Sequence, residues 1–330
     1  MRTAEPDPSL VARIVARRSL LYTAGADVAE ERPAFARAGS GIAWIGDRLA
    51  VIQDDAQFVA LVDPETGTTE AIALPADEKG RRLFDDSRGL KHLKMDLESC
   101  FVRPDGDGVT LTALGSGSSE LRMRIVQLHF ASSRAAPEVR VTEAASLYHA
   151  LIADQRFSGS TLNVEGAVVR GDELFLFQRG NGAASGGIPA VNAIGRLSLR
   201  DFDRCLAGDP ITPLLTDVVQ VDLGSEGGVP YGFTDATLTP DGDVLFLASA
   251  EDSQNTVSDG AVFGTRIGIL DRAGGLRTGM LLDERGKPSR LKGEAIALDP
   301  RDGSRVWVVI DVDNPTQPSE LLDVRLSLGS

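Results

Sequence analysis

The sequence has little of the chemistry that marks common redox and zinc sites. Among 330 residues there are two cysteines and three histidines. Cys100 and Cys205 each lie in an apolar stretch, and two such thiols do not make a disulfide framework. None of the histidines at positions 92, 129 and 149 stands at ligand spacing from another His or Cys, which leaves little material for a zinc site.

Long apolar runs and an excess of positive charge are also missing. No run of about 18 apolar residues occurs, and the N-terminal stretch 1–8 has no apolar core of signal-peptide length. We therefore expect a cytoplasmic protein. The formal net charge of -14 argues against nucleic acid and against anionic membranes as partners. The sequence contains no Gly-x-Ser-x-Gly elbow and no Walker loop.

An internal repeat is what the sequence does contain. Five times, a small or acidic residue opens a short apolar run, which is followed by a tight polar turn and a second apolar run. The Asp-Gly and Pro-Asp-Gly turns suit β-hairpins, and four-stranded meanders at this interval are typical of a propeller. The repeat predicts an all-β fold, with one β-propeller domain over residues 1–330. Its five openings begin at Ser40, Glu98, Glu165, Asp235 and Glu294.

The predicted propeller has five blades. A sixth could be hidden in the weakly patterned stretches 131–160 or 201–227, and a β-sandwich or a pair of barrels also fits the turn signals. The apolar run 10–15 has no repeat of its own, so we expect it to supply the outer strand of the last blade and close the ring. Residues 1–9 are expected to be disordered or extended. One short helix is predicted within 143–154.

Symmetry predicts a ring of acids at the mouth of the central channel. The first strand of each propeller blade lines the channel, so the residues that open these strands surround one axis. Four carboxylates gathered in this way favour a divalent cation, with Ca²⁺ as the first candidate, because its six to eight ligands are oxygens. The alternative is that the acids cap strands by accepting backbone N–H bonds from neighbouring blades. The predicted metal ligands are Glu98, Glu165, Asp235 and Glu294.

Polar residues also follow the second strand of each repeat. They would emerge on one face of the domain, where loops on a rigid scaffold commonly carry function. The alternative is that Asp, Asn, Gly and Ser simply form turns there. Together with Lys91, four of these residues are predicted to bind substrate: Asn181, Glu251, Asp311 and Asp313.

Basic residues lie close to the predicted acid ring. Lys91, His92 and Lys94 precede Glu98, Lys292 stands two residues before Glu294, and Arg179 follows a second strand. These cations could form ion pairs with the carboxylates or bind an anionic ligand group. His92 has a suitable pKa for a general base, although a lone histidine is more often a surface or packing residue. The predicted catalytic residues are His92, Lys94 and Arg179.

The strand openings 164–167, 292–297 and 96–99 resemble the Glu-Gly-Ile-Ala motif of the phytase-like esterase propellers and their bacterial relatives. Less closely, they resemble the gluconolactonase and paraoxonase propellers, in which Glu, Asn and Asp from different blades hold a catalytic Ca²⁺. The resemblance implies a propeller fold and puts the four acids at ligand positions. The chain departs from the lactonase pattern because no Asn stands at an equivalent point.

Two main hypotheses follow for function. The first is a metal-assisted hydrolase acting on a small anionic ester, lactone or phosphoester. The second is a non-catalytic propeller that binds a small ligand or a partner protein through its loop-rich face. A purely structural role is a third reading, but it gives no reason for the aligned acids.

Overall fold

The structure, a computed structural model, describes residues 1–252 and 260–328. Most of these residues belong to β-strands, and three short helices are present among them. The chain begins with strands β1 (Arg2–Thr3) and β2 (Glu5–Ser19), which pair with distant parts of the sequence. After them, antiparallel meanders follow one another along the chain and form two four-stranded sheets, one five-stranded sheet and one nine-stranded sheet, in which β2 joins the last two meanders.

The first and second units are antiparallel meanders in sequence order. Glycines in the left-handed region, such as Gly46 with φ 62°, make the tight turns between neighbouring strands. The first unit contains β3 (Gly39–Ile45), β4 (Arg48–Gln53), β5 (Phe58–Val62) and β6 (Thr69–Ala73). The second contains β7 (Leu97–Asp105), β8 (Gly108–Gly115), β9 (Arg124–Phe130) and β10 (Glu138–Glu143).

The third unit is associated with three short helices. Helices α1 (Ala145–Ala153) and α2 (Gln155–Ser158) precede it, and α3 (Leu199–Leu206) lies between its last two strands. The helix predicted within 143–154 is therefore present as α1. The strands of this unit are β11 (Val164–Arg170), β12 (Glu173–Gln178), β13 (Asn192–Ser198) and β14 (Asp217–Asp222).

The fourth and fifth units repeat the meander. A two-residue strand, β15 (Ser225–Glu226), pairs with the start of the fourth unit. That unit contains β16 (Val229–Leu238), β17 (Val244–Asp252), β18 (Ala261–Leu270) and β19 (Leu276–Leu282). The fifth contains β20 (Gly293–Asp299), β21 (Asp302–Ile310) and β22 (Glu320–Leu328).

The N-terminal strand completes the fifth unit. β2 pairs antiparallel with β22, in a register that joins Leu10 to Leu328 and Ser19 to Glu320. Its residues alternate in burial, because Leu10, Ala12 and Ile14 face the core while the residues between them face outward. β2 also runs parallel to β19, and β1 runs parallel to β14. Most of the stretch 1–9 is thus extended and paired.

The first strands of the five units form a closed cycle. β3 contacts β7, and the contacts continue through β11, β16 and β20 back to β3. Five main apolar clusters lie between neighbouring units, each built from residues of two units. The helices pack between the second and third units, where Tyr148, Phe157 and Phe202 are fully buried. A sixth blade could have been hidden in the stretches 131–160 and 201–227. In the structure these stretches contain β10, β14, the short β15 and the helices.

The helices that the structure describes are all short. The longest, α1, has nine residues. No helix in the described ranges is both long and apolar enough to cross a lipid bilayer.

The closure by β2 can be tested at one glycine. A Cβ at Gly279 in β19 would lie 1.7 Å from the carbonyl oxygen of Leu10, whereas a Cβ at Gly303 in β21 meets nothing within 4 Å. We expect Gly279→Ala to lower the free energy of unfolding by about 1–3 kcal/mol, because backbone must move to relieve the overlap. Gly303→Ala is the matched control. Equal urea midpoints for the two variants would contradict the observed contact between β19 and β2.

Candidate functional site

Polar side chains at one end of the inner strands surround a cavity of about 170 Å³. Its lining contains more carboxylates than cations. All but two of the sequence-predicted site residues line it, the exceptions being His92 and Asp235. The predicted residues that the cavity brings together are Lys91, Lys94, Glu98, Glu165, Arg179, Asn181, Glu251, Glu294, Asp311 and Asp313.

A β-bulge in the first strand of each unit sets which side chain faces the cavity. At a bulge two residues oppose one on the partner strand, and the ladder skips one position. The skipped residue lines the cavity in four of the units, and Thr234 is the exception. The bulge residues are Ser40, Glu98, Glu165, Thr234 and Glu294.

Asp235 therefore lies one residue beyond the equivalent position. Neighbouring strand residues face opposite sides, so a shift of one removes its carboxylate from the cavity lining. Its Oδ2 accepts a hydrogen bond from the backbone N–H of Ile296 in the next unit, at 2.9 Å. Its Oδ1 is buried without a hydrogen bond, and burial raises the pKa of Asp235 well above its usual value. In the structure Asp235 has the capping role given above as the alternative for these acids.

At the two bulges that carry a hydroxyl side chain instead of a glutamate, this hydroxyl links one unit to the next. Ser40 donates to the carbonyl of Leu97, and Thr234 donates to the carbonyl of Gly293 at 2.7 Å. Leu97 and Gly293 immediately precede Glu98 and Glu294. These bonds connect one unit to the backbone that presents the glutamate of the next.

Three acids from two units form the tightest carboxylate group among the described residues. Asp54, at the end of β4, lies beside Asp96 and Glu98, at the start of β7, and their ligand oxygens are all within 4.8 Å of one another. Asp96 adopts a left-handed backbone conformation with φ 57°. Oxygen donors of this kind suit a hard divalent cation, so the three acids could hold a metal ion. Glu165, Asp235 and Glu294, which were predicted as further metal ligands, do not belong to this group.

Two basic side chains already compensate part of that charge. Lys94 Nζ lies 2.5 Å from Asp54 Oδ2 and 2.6 Å from Asp96 Oδ1. Arg122 Nη1 lies 2.9 Å from Asp96 Oδ2. Glu98 receives no hydrogen bond and no ion pair from the part of the chain that the structure describes. Burial and the neighbouring carboxylates of Asp96 and Glu165 raise the pKa of Glu98 well above its usual value.

Arg179 and Lys292 pair with the acids of the third, fourth and fifth units. Arg179 contacts Glu251 at 2.6 Å and Glu165 at 3.3 Å. Lys292 contacts Glu294 at 2.8 Å and Glu251 at 3.3 Å. Burial opposes the charges of Arg179 and Lys292, but the carboxylates outweigh it and raise both pKa values. Ion pairing is thus the observed use of Arg179.

Two of the carboxyl groups that line the cavity have pKa values of about 8. Burial raises the pKa of Glu294 to about 8, although Lys292 and Arg179 oppose the shift. Burial, together with the neighbouring Asp313, raises the pKa of Asp311 to about 8. No hydrogen bond or ion pair reaches Asp311 within the described ranges. Carboxyls of this kind can exchange a proton with a ligand at physiological pH.

A further charged group, which the sequence analysis missed, joins Arg37, before β3, to the loop between β6 and β7. Arg37 Nη1 lies 2.9 Å from Asp85, and Arg37 also pairs with Asp55. Lys91 Nζ lies 3.5 Å from Asp86. Burial and the charge of Asp54 raise the pKa of Asp55 to about 6.

His92 lies in the loop between β6 and β7, in a 3-10 turn over Lys91–Leu93, but it is exposed and outside the cavity lining.

Some of the missed residues did carry a signal in the repeat. Asp96, Asn163 and Lys292 each stand two positions before a bulge glutamate. Asn163 Nδ2 donates to Glu165 Oε1 at 2.6 Å, so this upstream position contacts the bulge acid just as Lys292 does. Lys292 was already noted at this spacing from Glu294, and applying the same spacing to the other repeats would have found Asp96 and Asn163. Arg37, Asp85 and Asp86 lie outside the repeat, and nothing in its pattern points to them.

Comparisons with known proteins identify the family of the chain. None of the curated proteins compared with the chain matches it. In structure it is similar, at low identity, to β-propeller proteins. Glutaminyl cyclase from Myxococcus xanthus has 13% identity and a TM-score of 0.47, over 98% of this chain and 99% of that one. Regucalcin, a calcium-binding protein from Agrobacterium tumefaciens, has 11% identity and a TM-score of 0.43, over 97% of each chain.

A thermostable family-43 glycoside hydrolase has 11% identity and a TM-score of 0.46, over 88% of each chain. Likeness at this level says nothing about what the chain binds or catalyses. The sequence comparison is more specific, because the model of one family extends over residues 36–326. The protein belongs to that family, a family of unknown function designated DUF6929.

Proposed function

We propose that the acidic cavity binds a divalent cation between Asp54, Asp96 and Glu98 and hydrolyses a small ester or lactone there. The observation that carries the proposal is the close group of three carboxylates, in which Glu98 lines the cavity without a hydrogen bond or ion pair within the described residues. The resemblance of the strand openings to the phytase-like esterase group supports an ester as the substrate class.

We infer that the five units are the blades of a five-bladed propeller, with the cavity at the mouth of its channel. The closed cycle of first strands and the apolar clusters between neighbouring units support this count. The inference matters for function, because a closed ring brings Asp54 of one blade to Asp96 and Glu98 of the next.

Charge balance supports a cation at this position. The three carboxylates face two basic side chains, Lys94 and Arg122, so one negative charge is left when all of them are ionised. Lys94 bridges Asp54 and Asp96, which leaves Glu98 as the least engaged ligand. A bound divalent ion would supply Lewis-acid polarisation of the scissile oxygen and a lower pKa for a bound water.

The remaining residues would bind the substrate and move a proton. Glu294 carries a proton at neutral pH because its pKa is about 8, and Lys292 Nζ, 2.8 Å away, fixes its position. We therefore propose it as the general acid for a leaving oxygen. Each cavity cation lies within 3.5 Å of a carboxylate, so an anionic substrate must compete with that partner, whereas a neutral ester or lactone need not.

A second function, non-catalytic binding of a small polar ligand, is favoured by one specific observation. His92 lies outside the cavity, and the described residues of the lining include no cysteine or histidine as nucleophile or base. The hydroxyl of Ser40 does line it but donates to the carbonyl of Leu97. The polar groups that line this cavity can bind a small polar ligand without catalysing a reaction.

Cation binding can be measured as stabilisation. At a concentration one hundred times its dissociation constant, Ca²⁺, Mg²⁺ or Mn²⁺ is expected to add about 2.7 kcal/mol to the free energy of unfolding, because only the folded state joins the three ligands. Glu98→Gln keeps the shape of the side chain and should abolish the gain. Asp311→Asn, a cavity acid outside the group of three, is the control that should retain it. Absence of a shift with all three ions would rule out the metal site.

Hydrolysis is tested with 4-nitrophenyl acetate and δ-valerolactone, each with and without the stabilising cation. We expect cation-dependent turnover that Glu98→Gln removes. Glu294→Gln should lower kcat by about 10²–10⁴ at neutral pH, the usual contribution of a general acid, with little change in cation affinity. If cation binding persists but neither compound is turned over, the function is the non-catalytic one.

The pH dependence of stability tests the unpaired acid Asp311. In the folded protein its pKa is about 8, against an ordinary value of 3.8, so the folded state holds a proton that the unfolded state has lost between these values. Stability due to this group therefore falls as pH rises from about 4 to about 8. In the presence of chelator, Asp311→Asn should gain about 1 kcal/mol or more over the natural protein at pH 8 and nothing at pH 4. A pH-independent difference would contradict the assignment.

A further inference from the structure

A second cavity, of about 180 Å³, lies between the third and fourth units. One wall is the outer part of the third unit, and the other is the turn between β18 and β19. It shares no lining residue with the acidic cavity. Any ligand bound here is therefore independent of the proposed hydrolysis.

The floor of this cavity is apolar. Phe175, Ile194, Val221 and Leu276 are buried there as part of the apolar cluster between the two units. Val219 and Leu270 extend the same surface. An engineered protein cavity of about 150 Å³ is known to hold benzene, so a cavity of this volume accommodates one aromatic ring.

Four arginines surround the floor and face two aspartates. Arg170 stacks over the ring of Phe175, with its guanidinium carbon 4.4 Å from the centroid, and donates to the carbonyl of Gly242 at 3.3 Å. Arg2 donates to the carbonyl of Gly274 at 2.6 Å. These two guanidiniums have no carboxylate partner in the described part of the chain.

The other two arginines are also incompletely engaged. The side chain of Arg272 makes no ion pair within residues 1–252 and 260–328. Arg196 lies 3.4 Å from Glu173 and 3.9 Å from Asp217, but its buried Nε makes no hydrogen bond. Asp271, the second aspartate of the lining, accepts a hydrogen bond from its own turn, from the backbone N–H of Gly275 at 2.8 Å.

This concentration of positive charge is unusual for the chain that carries it. The formal net charge of the whole protein is -14, yet here guanidinium groups outnumber carboxylates. A guanidinium presents paired N–H donors that match a carboxylate in bidentate geometry. An apolar floor with such donors at its edge is complementary to a molecule that joins an apolar body to one anionic group.

We propose that this second cavity binds a small aromatic carboxylate. The ring lies on the floor formed by Phe175, Ile194 and Leu276, and the carboxylate accepts hydrogen bonds from Arg170 and Arg272. Binding is reversible and requires no covalent step. A neutral molecule of the same shape gains the apolar contact alone and binds more weakly.

The test uses 4-fluorobenzoate as the probe, observed by fluorine NMR line broadening with the full-length protein. We expect saturable binding that Arg170→Gln and Arg272→Gln each weaken about tenfold, the usual effect of losing one hydrogen bond to a charged group. Arg272 is exposed, so its variant tests the site even if Arg170→Gln disturbs packing on Phe175. Arg285→Gln, a change at an exposed arginine elsewhere, is the matched control and should leave the affinity unchanged.

A second comparison separates charge recognition from apolar adsorption. The neutral analogue 4-fluorobenzamide should bind at least tenfold more weakly than the acid. Equal affinity for the two compounds, no saturable binding of the acid, or affinity for the acid that none of the cavity variants changes would overturn the proposal. Glu98→Gln leaves this cavity intact, so its effect on hydrolysis reports only on the acidic site.

Discussion

The accumulation of carboxylates around one axis is the constraint on which the rest of the site depends. Each inner strand presents a bulge residue at the same end of the ring, and three of those residues are glutamates. Buried like charges repel one another and lose hydration, so the fold must supply compensating charge within the same small volume. The buried lysines and arginines of the cavity supply this compensating charge.

The compensating cations also connect neighbouring units. Lys94 lies between Asp54 of the first unit and Asp96 of the second. Arg179 joins Glu165 of the third unit to Glu251 of the fourth, and Lys292 continues from Glu251 to the fifth. Removing one of these cations would leave one carboxylate without a basic partner and take one of two partners from another, which is more costly than losing an exposed ion pair. The site and the closure of the ring are therefore stabilised by the same contacts.

The repeat in the sequence was enough to predict strands, turns and the outer strand supplied by the N-terminus, because these follow from hydrophobic period and turn chemistry. Ten of the twelve predicted site residues line the cavity. The repeat could not settle the register in the fourth unit, where Thr234 and Asp235 are both polar and a bulge decides which one faces the cavity. Arg37 and Asp85 come from segments outside the repeat, and only their contact in three dimensions relates them to the site.

The negative excess of the acidic cavity can be neutralised in two ways, and they are linked. At or below about pH 8 protons on Glu294 and Asp311 remove part of it, since both carboxyls have pKa values near 8. A cation bound at the proposed site between Asp54, Asp96 and Glu98 would neutralise charge without protons, and it would displace any proton that Glu98 holds. Cation affinity must then rise with pH, and cation binding must release protons from the cavity. A cavity built in this way would couple the ionisation of its acids to the occupancy of the proposed cation site.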